Sequence, residues 1–178
     1  MASNRTLPLD KLAAGIAFVL GLATILGAWG SQLWGGLSPC ELCLGERVPY
    51  YWGLPILAII LLLWNRLPLA VWNIAMIVVA AIFVWSVYLG VFHAGVEWKF
   101  WPGPSACTGG AGAIDLSQLS NLGSAKPQVP CDVVQWRDPI LKLSLAGYNA
   151  LVSLVIVVLL LVALGNQLRR SRRVAAAA

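Results

Sequence analysis

Long uninterrupted apolar runs dominate the pattern of this chain. The runs cover residues 12–30, 48–64, 69–92 and 143–164, and none of them contains Asp, Glu, Lys or Arg. Each reaches the roughly 17–25 residues that a helix needs to cross a bilayer. Because a spanning segment must satisfy its backbone polar groups internally, the runs are expected to be helices. The pattern predicts an all-α membrane protein, a bundle of four transmembrane helices in one domain.

Composition supports this interpretation. The 178 residues are 60% hydrophobic and 11% charged, whereas about a quarter of a soluble domain is charged. The net charge of +5 lies between and beyond the apolar runs, so it indicates topology rather than nucleic-acid binding.

The distribution of charge predicts an orientation. The N-terminus, the 65–68 turn and the C-terminal tail share one face, and residues 31–47 and 93–142 form two loops on the other. The first face carries a single acid, Asp10, and these basic residues: Arg5, Lys11, Arg66, Arg169, Arg170, Arg172 and Arg173. Since Lys and Arg are enriched in cytoplasmic segments, both termini are expected in the cytoplasm and both loops outside it.

The second loop is long and rich in Gly and Pro. Within it, residues 114–122 place leucines among polar side chains with a partly helical spacing. A short helix on the membrane surface would bury the leucines, and a helix covering the top of the bundle would do the same.

All four cysteines fall on the extracytoplasmic side, which permits stable disulfides. Cys40 and Cys43 form a C-x-x-C motif, and Cys107 and Cys131 lie in the long loop. Four cysteines allow three pairings, of which we favour Cys40–Cys43 and Cys107–Cys131 at rest. A zinc site is disfavoured, because four-cysteine zinc sites usually offer two close pairs, and we expect no metal. Two pairs on one side indicate thiol–disulfide exchange between them.

The neighbours of the first pair suggest how it is activated. Ser38 and Glu41 have capping-box spacing, and a helical turn starting there would place Cys40 near the positive end of a helix dipole. Arg47 would share a helical face with Cys43. Its guanidinium could stabilise a thiolate at Cys43 or bind an oxygen of a lipid-soluble electron acceptor, such as a quinone, that reaches this pair at the membrane boundary. His93, the only histidine, closes the third run on the same side, either as an interfacial residue or as a hydrogen-bond donor to a quinone oxygen.

In the order of these elements, the sequence resembles the bacterial DsbB family, which reoxidises the periplasmic thiol oxidase DsbA with a quinone. The similarity lies in Pro39-Cys40-x-Leu42-Cys43-x-x-Glu46-Arg47, in the loop cysteines and in the 143–150 segment that opens the last span. The related vitamin K epoxide reductases have the reverse order of cysteine pairs.

The resemblance implies a relay in the bacterial inner membrane. A DsbA-like partner would reduce Cys107–Cys131 through a mixed disulfide at Cys107, Cys131 would pass the exchange to Cys40, and Cys43 would engage the quinone. Arg47 and His93 would contact that quinone, with ubiquinone expected and menaquinone the alternative. The competing hypothesis is a non-enzymatic four-span scaffold with a disulfide-tied outer loop, which leaves the C-x-x-C motif and Arg47 unexplained.

Overall fold

The computed structural model describes residues 8–104, 107 and 129–176. Within them the protein is helical and has no strand, with four helices: α1 (Pro8–Leu33), α2 (Glu41–Leu62), α3 (Leu69–Glu97) and α4 (Leu145–Ala176). The surface helix predicted at 114–122 lies outside the described residues. The prediction of an all-helical fold is confirmed.

The helix ends differ from the ends of the apolar runs that predicted them. Helix α1 begins with Asp10 in its first turn, where a carboxylate is favoured by the helix dipole. Helix α3 continues four residues beyond His93, and α4 begins two residues later than expected. Helix formation continues through polar residues at the bundle ends, because backbone hydrogen bonding does not require an apolar side chain.

Among the residues that the structure describes, three helical segments are long and apolar enough to cross a membrane: Leu9–Leu33, Leu69–Glu97 and Leu145–Arg169. Helix α2 carries Glu41, Glu46 and Arg47 in its first two turns, and Pro49 and Pro55 inside it.

The four helices pack in a ring. Helices α1 and α3 each contact both α2 and α4. The end of α1, the start of α2, the end of α3 and the start of α4 line one cavity. Neighbouring helices are therefore antiparallel, and this end of the bundle holds all four of these helix termini.

Apolar side chains fill the interior below that end. Residues with at most 1% exposure include Leu57, Met76, Val79, Phe83, Ile156 and Leu160. Helices α3 and α4 approach closely at Gly90, where a Cβ atom would lie 2.7 Å from the backbone nitrogen of Ala150. Large apolar side chains also cover the outer surface of all four helices, with Leu62 at 82% exposure. This distribution is typical of a bundle solvated by lipid, in which small residues allow close helix packing.

Candidate active site

The C-x-x-C motif lies at the start of α2, and Cys40 itself caps the helix. Its backbone is extended, and its sulfur accepts a hydrogen bond from the Cys43 backbone N–H at 3.2 Å. The prediction that the helical turn begins after Ser38 is therefore wrong, because the sulfur of Cys40 satisfies the helix donor that Ser38 was expected to satisfy. Cys40 still lies at the N-terminus of the helix, where the positive end of the helix dipole would stabilise a thiolate.

The two sulfurs of the motif are close but belong to free cysteines. Cys40 is buried, Cys43 is half-buried, and their Sγ atoms lie 2.6 Å apart. This differs from the expected Cys40–Cys43 disulfide. The hydrogen bond from the Cys43 thiol lowers the pKa of Cys40, and it outweighs burial, which acts in the opposite direction. Cys40 is the sulfur that holds a negative charge more readily.

The loop cysteines are joined in a disulfide, as predicted. Both are buried, and the Cys131 N–H donates to the Cys107 carbonyl at 2.8 Å. The sulfurs of Cys40, Cys107 and Cys131 all lie within 4.8 Å of one another. Cys40 and Cys107 are 67 residues apart in sequence. The structure brings Cys40 and the loop disulfide into one buried cluster, against which Leu42 and Cys43 pack.

Contacts outside the disulfide position the segment that follows Cys131. The Gln135 side-chain amide donates to the Ser38 carbonyl at 2.6 Å, two residues before Cys40. Lys99 pairs with Asp132 at 2.5 Å, and its hydrogen bond, helped by its charge, lowers the pKa of that carboxyl. Asp132 and Gln135 follow Cys131 by one and four residues, so these contacts tie the segment after Cys131 to the end of α3 and to the residues before α2.

Arg47 is directed toward α1. One guanidinium nitrogen donates to the Gln32 Oε1 at 2.7 Å and the other to the Ala28 carbonyl at 3.2 Å. The group also lies over the Trp29 ring, 5.5 Å from its centroid. The expected contact with the Cys43 thiolate is replaced by these bonds, although Arg47 and Cys43 line the same cavity.

His93 is buried inside the bundle, whereas the sequence placed it at the exposed end of the third span. It is 3% exposed, its Nε2 is 3.6 Å from the Cys40 sulfur, and its Nδ1 is 2.8 Å from the Glu46 Oε1. A second carboxylate, that of Glu97, lies 4.0 Å from Nε2. Sequence reasoning missed both acids, although Glu46 stood within the motif string as an acid beside an apolar run.

A cavity of about 340 Å³ opens between the four helix ends. Its polar lining includes Cys43, Arg47, His93 and Asn149, and α1 and α4 supply much of the apolar wall. The size falls within the range of small-molecule sites, which combine apolar walls with a few polar groups.

Two further polar residues of the cavity were not predicted. The Tyr50 hydroxyl donates to the Asn149 Oδ1 at 2.7 Å and lies 2.9 Å from the Ser153 hydroxyl. This fixes the amide of Asn149, whose Nδ2 is buried without a hydrogen-bond partner. A buried donor left free in an apolar wall suits a ligand oxygen.

The fold and the site together define a multi-pass membrane protein whose free thiols lie beside a buried disulfide. A comparison with family models assigns residues 10–163 to the family described as disulfide bond formation protein DsbB. The chain belongs to the DsbB family, whose members are membrane proteins that act as oxidoreductases in disulfide bond formation. Comparisons with curated proteins and with solved structures gave no significant match.

Proposed function

We propose that this protein is a thiol:quinone oxidoreductase that reoxidises a DsbA-like periplasmic partner. The observation that carries the proposal is the position of the Cys40 sulfur within 4.8 Å of both sulfurs of the Cys107–Cys131 disulfide. Thiol–disulfide exchange needs only a thiolate within reach of a disulfide sulfur, so electrons can pass between the two pairs.

In this scheme a partner thiolate attacks Cys107, and Cys131 leaves as a thiolate. Cys131 then attacks Cys40 of an oxidised inner pair, and Cys43 leaves. The partner's second thiolate resolves the mixed disulfide at Cys107, which returns to attack Cys131. The outer disulfide is thereby restored, and both electrons rest on Cys40 and Cys43. The pairing in the structure, with the outer pair bonded and the inner pair free, corresponds to that state.

The cavity supports a quinone as the acceptor. Cys43 lines it, Arg47 has guanidinium N–H groups beyond the two bound to α1, and Asn149 offers a free N–H. Arg47 and Asn149 would hold the ring oxygens. The quinone contact expected for His93 is not part of this proposal, because its two ring nitrogens face Cys40 and Glu46. A bound quinone supplies a two-electron, two-proton acceptor, and the dithiol releases two of each in becoming a disulfide. Ubiquinone is the expected form and menaquinone the alternative.

The orientation forms part of the proposal. Helix α2 would be the fourth span, because its 22 residues extend about 33 Å and its outward face carries Trp52, Ile59 and Leu62. With both termini cytoplasmic, the cysteine end of the bundle would face the periplasm of a bacterial inner membrane.

The test is a quinone-reduction assay. Purified protein in detergent receives a reduced DsbA-like protein and a soluble ubiquinone or menaquinone analogue, and loss of quinone absorbance is followed. Cys43→Ser should abolish turnover, whereas Glu41→Gln, which changes an exposed side chain beside Cys40, should retain it. Full turnover in Cys43→Ser would refute the relay, and absence of turnover in the unmodified protein would favour the scaffold hypothesis.

A further inference from the structure

A chain of three buried groups runs from the Cys40 sulfur into the bundle. The Nε2 atom of His93 lies 3.6 Å from the sulfur, and Nδ1 lies 2.8 Å from a carboxylate oxygen of Glu46. Cys40 and His93 are both 3% exposed and Glu46 is 8% exposed, so bulk water has little access to this chain. The imidazole ring stands between the carboxylate and the sulfur.

Hydrogen bonding assigns the roles of the two ring nitrogens. A carboxylate accepts hydrogen bonds, so Nδ1 carries the proton that it donates to Glu46. In the neutral ring this leaves a lone pair on Nε2, directed at Cys40. A base oriented by a third group and placed beside a nucleophile is the arrangement that activates cysteine and serine nucleophiles in general.

We propose that His93, oriented by Glu46, is the proton carrier of Cys40. When the Cys40 thiol attacks the Cys107–Cys131 disulfide, its S–H bond breaks and an N–H bond forms at Nε2, while a Cys40–Cys131 bond forms and Cys107 leaves as a thiolate. When Cys40 leaves from a disulfide, Nε2 returns the proton. This proton transfer changes no oxidation state. The inference rests on the proposed function only in assuming that the Cys40 thiolate takes part in thiol–disulfide exchange.

Other charged groups surround the ring and affect its proton. Cys43 on α2 interacts with it, and so does Glu97 from the next turn of α3. Glu97 in turn interacts with Arg137, which precedes α4. The disulfide of Cys107 and Cys131 on the remaining side does not titrate. Glu46 is the carboxylate in direct hydrogen-bond contact with the ring, so its removal is the sharpest perturbation.

The sign of the Glu46 effect separates two explanations. Acting directly on the sulfur, the Glu46 charge raises the pKa of Cys40. Its removal would then make the thiol more reactive. Acting through His93, the carboxylate stabilises the imidazolium that accompanies the thiolate, so its removal makes the thiol less reactive.

The experiment measures alkylation of Cys40 by iodoacetamide against pH. It uses the purified full chain with the inner thiols reduced and without quinone, and mass spectrometry quantifies the Cys40 peptide. His93→Gln should slow alkylation at neutral pH about tenfold, which corresponds to a shift of about one unit in the pH midpoint. Glu46→Gln should slow it in the same direction, and the control Glu41→Gln should leave the profile unchanged.

Two results would overturn the inference: an unchanged pH midpoint in His93→Gln, or faster alkylation in Glu46→Gln. Glu46→Gln keeps the imidazole and fills the same volume, so it also tests the inference if His93→Gln does not fold. The readout requires no quinone. A failure of the quinone assay would therefore refute the proposed function without affecting the role of His93. A failure of the alkylation experiment would refute the role of His93 without affecting the proposed function.

Discussion

Replacement of Arg47 by Ala should weaken quinone binding. The guanidinium lies at the cavity with two of its nitrogens bound to α1, and its remaining N–H groups are available to a ligand oxygen. A hydrogen bond from a charged donor contributes about 1.5–3 kcal/mol. Losing one to the ligand should raise the apparent KM for quinone roughly ten- to a hundredfold.

The same substitution also removes contacts that fasten α1 to α2. The bonds to Gln32 and Ala28 and the stacking on Trp29 all join these two helices, so the thermal stability of Arg47→Ala should fall as well. This interhelical role was not apparent from the sequence.

A matched variant separates the two effects. Gln32→Leu removes one of the helix contacts but keeps the positive charge at the cavity. Initial rates of quinone reduction at varied quinone concentration should show a raised KM in Arg47→Ala and a nearly unchanged KM in Gln32→Leu. Equal increases in both variants would mean that Arg47 acts through helix packing. An unchanged KM in Arg47→Ala would remove it from the quinone site.

Three further predictions concern the loop and the bundle. Cys131→Ser leaves Cys107 as a free thiol, which should attack the disulfide of an oxidised DsbA-like partner, release one partner thiolate and form a mixed disulfide visible on non-reducing gels. Absence of the adduct would contradict the entry point of the relay. Gly90→Val should lower unfolding stability by about 1–3 kcal/mol, because its side chain meets the backbone of α4; Gly15→Ala, which meets nothing within 4 Å, is the control. Lys99 lowers the pKa of Asp132 in the folded protein. Any stability that this exposed pair contributes is therefore fully present above the pKa that Asp132 has in the unfolded chain. It is lost as the pH falls through the lower pKa of Asp132 in the folded protein. Asp132→Asn should therefore change thermal stability at neutral pH very little, and a large loss would contradict this reasoning.

The sequence was sufficient for features that depend on local pattern. Apolar runs predicted the helices, and the placement of Cys107 and Cys131 in one loop predicted their disulfide. Helix bounds were less accurate at the polar ends, where α3 continues to Glu97 and α2 begins at Glu41.

Features that depend on packing between helices could not be predicted from the sequence alone. Glu46 and His93 are 47 residues apart, and their contact exists because α2 begins where α3 ends. The same applies to Tyr50 and Asn149, which are 99 residues apart. The periodicity of a sequence identifies which face of a helix is apolar. It does not identify which polar side chain of a neighbouring helix will contact a buried polar residue on that face.

The burial of the outer disulfide sets the order of events. Cys107 and Cys131 are 3% and 1% exposed, so a protein-sized thiol has no line of approach to either sulfur in this arrangement. In the proposed relay, Cys107 would have to move away from Cys40 before a partner thiolate could attack it. Reduction of the outer disulfide by the partner and transfer of electrons to Cys40 would then occur in two alternating arrangements of the loop.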